Sequence, residues 1–480
     1  MFKTDMSTPE AMAYELGGIE FRPFQKYIAN KIMNGLTKGG ARFIISVPPA
    51  HGKSELCSRW IPLWRMNGNP SRKICIASYN IDNSEKWGRI LRNTIEDNKS
   101  ALKVSIARDS TAKRRWDTTA GGYVKCAGIK GTLTGNHFTD IIIDDPLKDW
   151  IEASSQAKRE AVIDWYNTVV STRLLPNANV LLIMTRWHEN DLAGYLLREA
   201  TEKWTYIRLP AISEGEGDLL KRKKGEYLCP DLYGEKFFNE QKKRLGSMQF
   251  AALYQQTPLA DGGNVFKREY WQRYTPAAKP KKFTRIIHSW DTAFETKKSN
   301  AYSVCTTWGE YENRFYLLNI WREKADYPTV KRKMFDLWKS EKSSVILLED
   351  KATGKPLRQE LRKAGLPIIE VEPIADKLTR AHSVTPLFED KRVFIADGES
   401  WADDLIDGCA AYPAGDWSDG VDTISQGLTW LSQTGGALDE ESLKNIQVGQ
   451  RKALFRFGAS MNGFTVRERS HWYLSNVGRR

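Results

Sequence analysis

Two sets of residues in this 480-residue chain have the types and spacing to act on phosphates. In the first, the apolar run Phe43-Ile44-Ile45-Ser46-Val47 passes directly into Pro48-Pro49-Ala50-His51-Gly52-Lys53-Ser54. A glycine at 52 lets the backbone wrap closely round a phosphate, Lys53 can reach the terminal oxygens, and Ser54 offers a hydroxyl to Mg²⁺. Val47 stands where the usual loop has its first glycine, so this is a deviant phosphate loop. Further along, Asp140-Ile141-Ile142-Ile143 ends in Asp144-Asp145-Pro146. There the first acid suits the metal side of a nucleotide site, and the second is placed to orient or deprotonate an attacking water. A third run, Val180–Met184, ends in Thr185-Arg186, where a hydroxyl and a guanidinium could sense a γ-phosphate. Upstream, Gln25 offers an amide to an adenine edge. In isolation each piece is an ordinary turn or helix cap; all of them, in this order, point to nucleotide hydrolysis with Lys53, Ser54, Asp144, Asp145 and Thr185 at the phosphates.

The second set is a group of carboxylates. Asp291 closes the run His288-Ser289-Trp290, Glu349 and Asp350 close Val345–Leu348, and Asp419 and Asp422 open an apolar helical stretch. If the two runs are neighbouring strands, their acids converge and the helix brings a third. Such a cluster binds two Mg²⁺ or Mn²⁺ ions that activate water and stabilise the leaving oxygen of a phosphodiester. Lys267-Arg268, Arg273, Lys279–Lys282, Arg358, Arg362, Lys377 and Arg380 flank the cluster. They are read as charges for duplex DNA, whose binding would then weaken steeply with salt.

The elements that must position these residues differ between the two halves. In the first, strand-like runs at Phe43–Val47, Lys73–Ser78, Ile141–Ile143 and Val180–Met184 alternate with helical stretches such as Ser54–Arg65 and Ser84–Asn98. Alternation of that kind predicts right-handed crossovers and a mainly parallel α/β sheet. In the second, Arg285–Thr292, Tyr302–Trp308 and Arg314–Trp321 follow at hairpin spacing. A helix from about Pro328, with Val330, Met334, Phe335 and Trp338 on one face, and the strand Val345–Leu348 come next. Three antiparallel strands followed by α/β units describe a ribonuclease-H-like sheet. The expected organisation is residues 1–210 as a P-loop ATPase domain, 211–282 as linker or subdomain, 283–432 as nuclease domain, and 433–480 as a basic tail.

Composition agrees. There are 72 Lys+Arg against 59 Asp+Glu, a net charge of +13, which favours an anionic partner such as nucleic acid. The six cysteines lie far apart without a CxxC pair, which argues against a zinc site or disulfide framework and for a reducing compartment. No signal pattern and no apolar run of membrane-spanning length is evident, so neither secretion nor a membrane is expected.

With these residues in view, the chain resembles the large terminase subunit of tailed bacteriophages over residues 20 to 432. Phe21–Gln25 is similar to that family's adenine-side motif, Pro48–Ser54 to its deviant phosphate loop, and Ile141–Lys148 to its acidic strand end. Met184–Gly194 is similar to the coupling motif, and Tyr254–Pro258 with Gly262–Lys267 to the approach to the nuclease. Glu349–Gly354 and Asp419–Ser425 resemble nuclease motifs. The resemblance implies an ATP-driven motor that packages double-stranded DNA into a procapsid and cuts concatemers with metal ions.

By that resemblance Gln25, Gly52, Lys53, Ser54, Asp144 and Thr185 bind the nucleotide and its Mg²⁺, and Asp145 is the hydrolytic acid. Asp291, Glu349 and one or both of Asp419 and Asp422 bind the nuclease metals. The implied partners are a small terminase subunit and a portal protein, in a homo-oligomeric ring within the host cytoplasm. Three departures stand out. Asp145 replaces the usual glutamate, Pro49-Ala50-His51 lacks the arginine many relatives carry there, and Ser418 replaces an acid of the last motif. Arg114, Arg115 and Arg186 are the candidates for an arginine finger. The rival expectations are a helicase-nuclease, which needs a second motor domain, and a non-catalytic DNA-binding assembly protein.

Overall fold

The computed structural model describes residues 6–110, 112–258, 265–293, 302–349, 355–373, 375–415 and 417–434. The chain divides into two compact units, Met1–Asp261 and Gly262–Arg480. The expected basic tail lies outside the described residues apart from its first two positions.

In the first unit the β-branched runs form seven strands: β1 (Arg42–Ser46), β2 (Lys73–Ser78), β3 (Arg115–Asp117), β4 (Tyr123–Gly128), β5 (Phe138–Asp144), β6 (Leu174–Ile183) and β7 (Thr205–Arg208). Their order is β3-β4-β2-β5-β6-β1-β7, parallel throughout except for the β3–β4 pair. Each central strand is apolar on both faces, as a sheet covered on both sides requires. Ile45, Ile74, Ile76, Ile142, Leu181 and Ile183 pack into one core, while Ile44, Cys75, Ala77, Ile141, Ile143 and Leu182 pack into the other. Register then fixes the site: Ser78, Asp144 and Ile183 are partners across three strands, and Ile183 in turn pairs with Ile45. The carboxyl ends of β1, β5 and β6 therefore finish level with one another, where ligands bind in open α/β sheets.

The second unit holds β8 (Gln272–Tyr274), β9 (Arg285–Asp291), β10 (Ser303–Tyr311), β11 (Arg314–Glu323), β12 (Val345–Glu349), β13 (Ile368–Val371) and β14 (Val393–Ala396). They are ordered β13-β12-β9-β10-β11-β14-β8, with β9, β10 and β11 antiparallel and the other pairs parallel. The helix Ser418–Gln433 packs on β9 and β10. Gly427 permits this approach: a Cβ there would stand 2.9 Å from Trp308 Cδ1 and 3.3 Å from Ser289 Cβ. Gln426 anchors the same contact by donating to Ser289 Oγ at 3.0 Å.

Several expectations are adjusted by packing. Residues 211–258 contribute the helical stretch Glu235–Leu253, kinked into two helices at Gly246, to the first unit, with Phe238, Phe250 and Leu253 in its core. The short strand β8 joins the second sheet. The second unit's first crossover helix is Tyr327–Glu341, whose buried face is Val330, Met334 and Leu337; Phe335 is exposed. Among the described residues no helix is long and apolar enough to cross a membrane, and all six cysteines are free and buried.

At the opposite end of β5 from the carboxylate pair, Asp140 is a buried charge. It accepts from Arg65 Nε (3.1 Å), Arg72 Nη1 (2.9 Å) and Asn179 Nδ2 (2.9 Å). Truncating one member of a buried ionic network leaves the others desolvated and unpaired, at a cost of about 3–5 kcal/mol. Asp140→Ala should therefore lower the stability of the first unit by about 3 kcal/mol or more in calorimetric or urea unfolding; a loss below about 1 kcal/mol, the value of an exposed pair, would contradict it.

Candidate active sites

The phosphate loop leaves β1 at Ser46 and turns through Ala50 (φ 60°) and Gly52 (φ 74°), two residues in the left-handed region. Only glycine takes that conformation without cost, and at Gly52 it is required twice over. A Cβ there would lie 2.8 Å from Gln25 Nε2. Gln25 is itself fixed, its Oε1 accepting from Arg22 N at 2.9 Å as a cap of the helix Pro23–Leu36. Its carbonyl is thus committed to the backbone, and its amide nitrogen abuts the loop. His51 packs its ring 4.9 Å from Tyr233 and places Nδ1 2.8 Å from Pro49 O; burial lowers its pKa. Tyr233 also donates to Ala50 O at 3.3 Å, so the loop is braced from outside the sheet.

Beyond the loop the chain is helical from Lys53, through a π-turn at Leu56–Trp60, to Gly68. Ser54 Oγ donates to Asp144 Oδ1 at 2.9 Å, and Ser58 Oγ donates to Asp144 Oδ2 at 3.0 Å. Asp144 is fully buried; desolvation first, and then the adjacent Asp145, push its carboxyl up to about 7 against the pull of Lys53 and the two serines. Asp145 takes φ 47°, which turns its carboxylate back toward the loop. Its Oδ2 lies 3.0 Å from Lys53 Nζ, and its Oδ1 accepts from Thr185 N at 3.0 Å. Lys53 Nζ donates in turn to Thr185 Oγ1 at 3.1 Å. Two bonded groups, Ser54–Asp144–Ser58 and Lys53–Asp145–Thr185, therefore lie side by side through the adjacent pairs Lys53-Ser54 and Asp144-Asp145, with Gln25 and Gly52 next to the loop.

Arg186, one residue on, is turned inward. Its Nε donates to both oxygens of the buried Asp191 at 3.1 and 2.9 Å, and its backbone N to Gln256 Oε1 at 3.1 Å. A guanidinium held this way supports the strand end and cannot reach outward as a finger. Arg115 is engaged by Asp117 and Asn136, and Arg114, its side chain 68% exposed, donates from Nε to Glu85 Oε1 at 3.0 Å. Sequence inspection misses Ser58, because nothing in a lone serine four residues past Ser54 announces a second donor to Asp144. The available signal is its spacing: on a helix, i and i+4 share a face.

In the second unit Asp291 ends β9 and Glu349 ends the adjacent parallel β12, both buried; Leu348 pairs with Trp290, one residue before each acid. Asp419 and Asp422 lie in the first two turns of the helix Ser418–Gln433. Asp291, Asp419 and Asp422 present oxygens that all lie within 4.8 Å of one another, the spacing of a divalent-metal cluster. Carboxylates at that spacing suit hard, oxygen-seeking ions such as Mg²⁺ or Mn²⁺. Glu349 is outside this tightest group, on the next strand. Burial raises the pKa of Asp422, opposed by Arg380 and Lys377. Arg380 Nη2 donates to Asp422 Oδ1 at 2.8 Å, while Lys377 Nζ lies 2.5 Å from Asp422 Oδ2 and 3.6 Å from Asp419 Oδ1.

Most of the flanking cations read as charges for duplex DNA are also ion-paired within the unit. Lys377 and Arg380 face Asp422, Arg358 and Arg362 pair with Glu370, Arg273 with Asp397 and Asp403, and Arg268 with Asp407. Lys279, Lys281 and Lys282 are exposed. Clustering along the chain reads as a basic face, but helix and strand geometry turns these charges onto neighbouring carboxylates.

Two family models match the chain: "Terminase large subunit, T4likevirus-type, N-terminal" over residues 44–273, and "Terminase RNaseH-like domain" over residues 288–425. Between them they span both units and both carboxylate sites. The chain belongs to the terminase large-subunit family. Large terminases join an ATPase domain to a ribonuclease-H-like nuclease and serve phage DNA packaging. No curated protein matches the terminase. Among solved structures it is similar to the large terminase of a thermophilic bacteriophage, at 11% identity over 86% of this chain and 99% of that one, with a TM-score of 0.47. It is also similar to the HK97 bacteriophage large terminase, at 14% identity over 88% of this chain and 99% of that one, TM-score 0.38. A zinc-bound large terminase nuclease from thermophilic phage G20c is matched at 12% identity over 34% of this chain and 95% of that one, TM-score 0.27.

If Asp144 faces the metal ion of a bound nucleotide, its burial gives nucleotide binding a pH dependence. A carboxyl near 7 is largely protonated below neutrality, and a proton there competes with a metal ion for the same oxygens. Affinity for Mg²⁺-ADP should fall as pH drops through about 7. Ser58→Ala removes a hydrogen bond to the anion, which raises the pKa further and moves the midpoint of that fall to higher pH. Calorimetric titrations of Mg²⁺-ADP across pH test this; an affinity flat with pH in both proteins would contradict it.

Proposed function

We propose that this terminase hydrolyses ATP in its first unit to move double-stranded DNA into a procapsid, and cuts concatemeric DNA in its second unit by metal-dependent hydrolysis. The observation that carries the reading is the coexistence of two strand-end carboxylate sites, one wired to a phosphate-loop lysine and one built from three acids with oxygens within 4.8 Å.

At the first site Lys53 would bind the terminal phosphates and Gly52 would let the backbone approach them. Gln25 Nε2, beside the loop, would contact the nucleotide. Ser54 and Asp144 would hold Mg²⁺. Lys53 and Asp145 form an ion pair. Drawing Lys53 toward a phosphate frees the Asp145 carboxylate to orient and deprotonate water. Thr185 contacts both partners, through its hydroxyl and its amide, so the state of that pair is passed to the end of β6. Asp145 is one methylene shorter than the usual glutamate, and its left-handed turn brings the carboxylate toward the loop. Among the three arginine candidates, the exposed Arg114 suits a finger acting on a neighbouring subunit in a ring.

At the second site Asp291, Glu349, Asp419 and Asp422 would hold two ions, Mg²⁺ or Mn²⁺. Bound metal at the two sites supplies, respectively, charge neutralisation at the phosphates and an activated water with a stabilised leaving oxygen. The partners proposed are duplex DNA, a small terminase subunit and the portal of a procapsid in the host cytoplasm, with the large subunits assembled as a ring. The helicase-nuclease reading calls for a second motor domain, and the second described sheet is instead ribonuclease-H-like with acids at strand ends. A non-catalytic assembly protein would have no need of the intact Lys53–Asp145 and Asp291–Asp422 arrangements.

Lys53→Ala should lower ATP turnover by about 100-fold or more while leaving Mn²⁺-dependent plasmid cleavage at the wild-type rate. Asp291→Ala should abolish cleavage and leave ATP turnover intact. Plasmid nicking at the wild-type rate by Asp291→Ala would overturn the nuclease site, and ATP turnover at the wild-type rate by Lys53→Ala would overturn the motor site.

A further inference from the structure

The nuclease acids are closest to one another where two cations meet them, and the two cations are not equivalent. Arg380 is nine-tenths buried and donates through a fixed planar head to Asp422 Oδ1. Lys377 is the first residue of the helix Lys377–Glu389, and nearly half of its side chain is exposed. Its ammonium stands between Asp422 Oδ2 (2.5 Å) and Asp419 Oδ1 (3.6 Å), two of the three oxygen sources of the metal cluster. The helix start is held without it: Asp376 accepts from Thr379 N at 2.9 Å and from Thr379 Oγ1 at 3.0 Å. Lys377 is thus a point charge on a flexible four-carbon stem, free to leave without disturbing its backbone.

We propose that Lys377 is the resident cation of the metal-free nuclease site and a latch on metal entry: a divalent ion binds Asp419 and Asp422 by displacing the ammonium into solvent, while Arg380 stays in place as the fixed counter-ion of Asp422. Three carboxylates at this spacing repel one another, and an unoccupied cluster needs a cation to remain assembled. A lysine supplies it reversibly, because one positive charge is outbid by two at the same oxygens. Arg380 cannot exchange in the same way, being buried and bonded to the far oxygen of Asp422. The consequence is a threshold: metal must first outcompete Lys377, so the nuclease stays silent at metal concentrations that a bare carboxylate cluster would already bind. This inference rests on the metal-binding reading of the cluster.

The test is Mn²⁺ binding to the full chain by calorimetry, in the wild type, Lys377→Gln, Lys377→Arg, Lys331→Gln and Asp291→Asn. Lys377→Gln should bind Mn²⁺ about tenfold more tightly than wild type. Lys331→Gln removes the same charge from a pair with Glu360 and should stay within about twofold of wild type. Lys377→Arg should bind no more tightly than wild type. A wild-type isotherm identical to that of Asp291→Asn would show that the cluster holds no metal, and would overturn the parent reading. Weakened binding by Asp291→Asn together with equal or weaker binding by Lys377→Gln would overturn the latch alone. A second readout needs no substitution. In the wild type, acylation of the Lys377 amine, followed by mass spectrometry, should speed up on adding Mn²⁺, and unchanged or slower labelling contradicts the displacement.

Discussion

Buried carboxylates must be neutralised, and that constraint shapes both halves of this molecule. Asp144 sits fully out of water and Asp422 nearly so, each beside further acids. Without cations or hydroxyl donors such groups would take up protons or force the strand ends apart. In the first unit two serines face Asp144 and Lys53 faces Asp145; in the second Arg380 and Lys377 face Asp422. Sheet register brings the acids together, and the helices that follow bring the charges that make the meeting tolerable. On the proposed function, the same partners are those that a nucleotide or metal would displace or recruit.

The two sites solve this problem with different parts. In the parallel sheet the acid pair and Thr185 follow the ends of adjacent strands, and Lys53 arrives from a loop whose backbone is bent by Gly52 and Ala50. In the mixed sheet two parallel strands, β9 and β12, bring Asp291 and Glu349 side by side, and a helix lowered onto the sheet at Gly427 supplies Asp419 and Asp422. The close seat at Gly427 and the bond from Gln426 to Ser289 set the height of that helix, and hence the distance between acids that lie far apart in sequence.

Much of this is legible in the chain itself. The runs Phe43–Val47, Lys73–Ser78 and Arg285–Thr292 read as strands because β-branched residues fill them, and chemistry-bearing residues follow several of the runs directly. Asp144, Asp145, Thr185, Asp291 and Glu349 can be found on that basis. Other features are tertiary and leave no local mark. The edge strands β3 and β8 are three residues long and owe their form to a neighbour. Residues 211–258 look irregular, yet Phe238 and Leu253 belong to a core of the first unit. The pairing of Arg186 with Asp191, and of Lys377 and Arg380 with Asp422, depends on directions that spacing cannot give. For that reason the basic residues near the second site read as a DNA face when most are ion-paired within the unit.

Both carboxylate sets are thus read as metal sites, the first with Lys53 on the neighbouring Asp145 and the second with Lys377 on Asp422. Anomalous diffraction from crystals grown with Mn²⁺ and a non-hydrolysable ATP analogue puts both halves of that reading to the test at once. One anomalous peak is expected beside Ser54 and Asp144, and at least one among Asp291, Asp419 and Asp422, with Lys377 Nζ moved away from Asp422. Crystals with no peak at either carboxylate set, or with Lys377 still on Asp422 beside a fully occupied metal, would refute it.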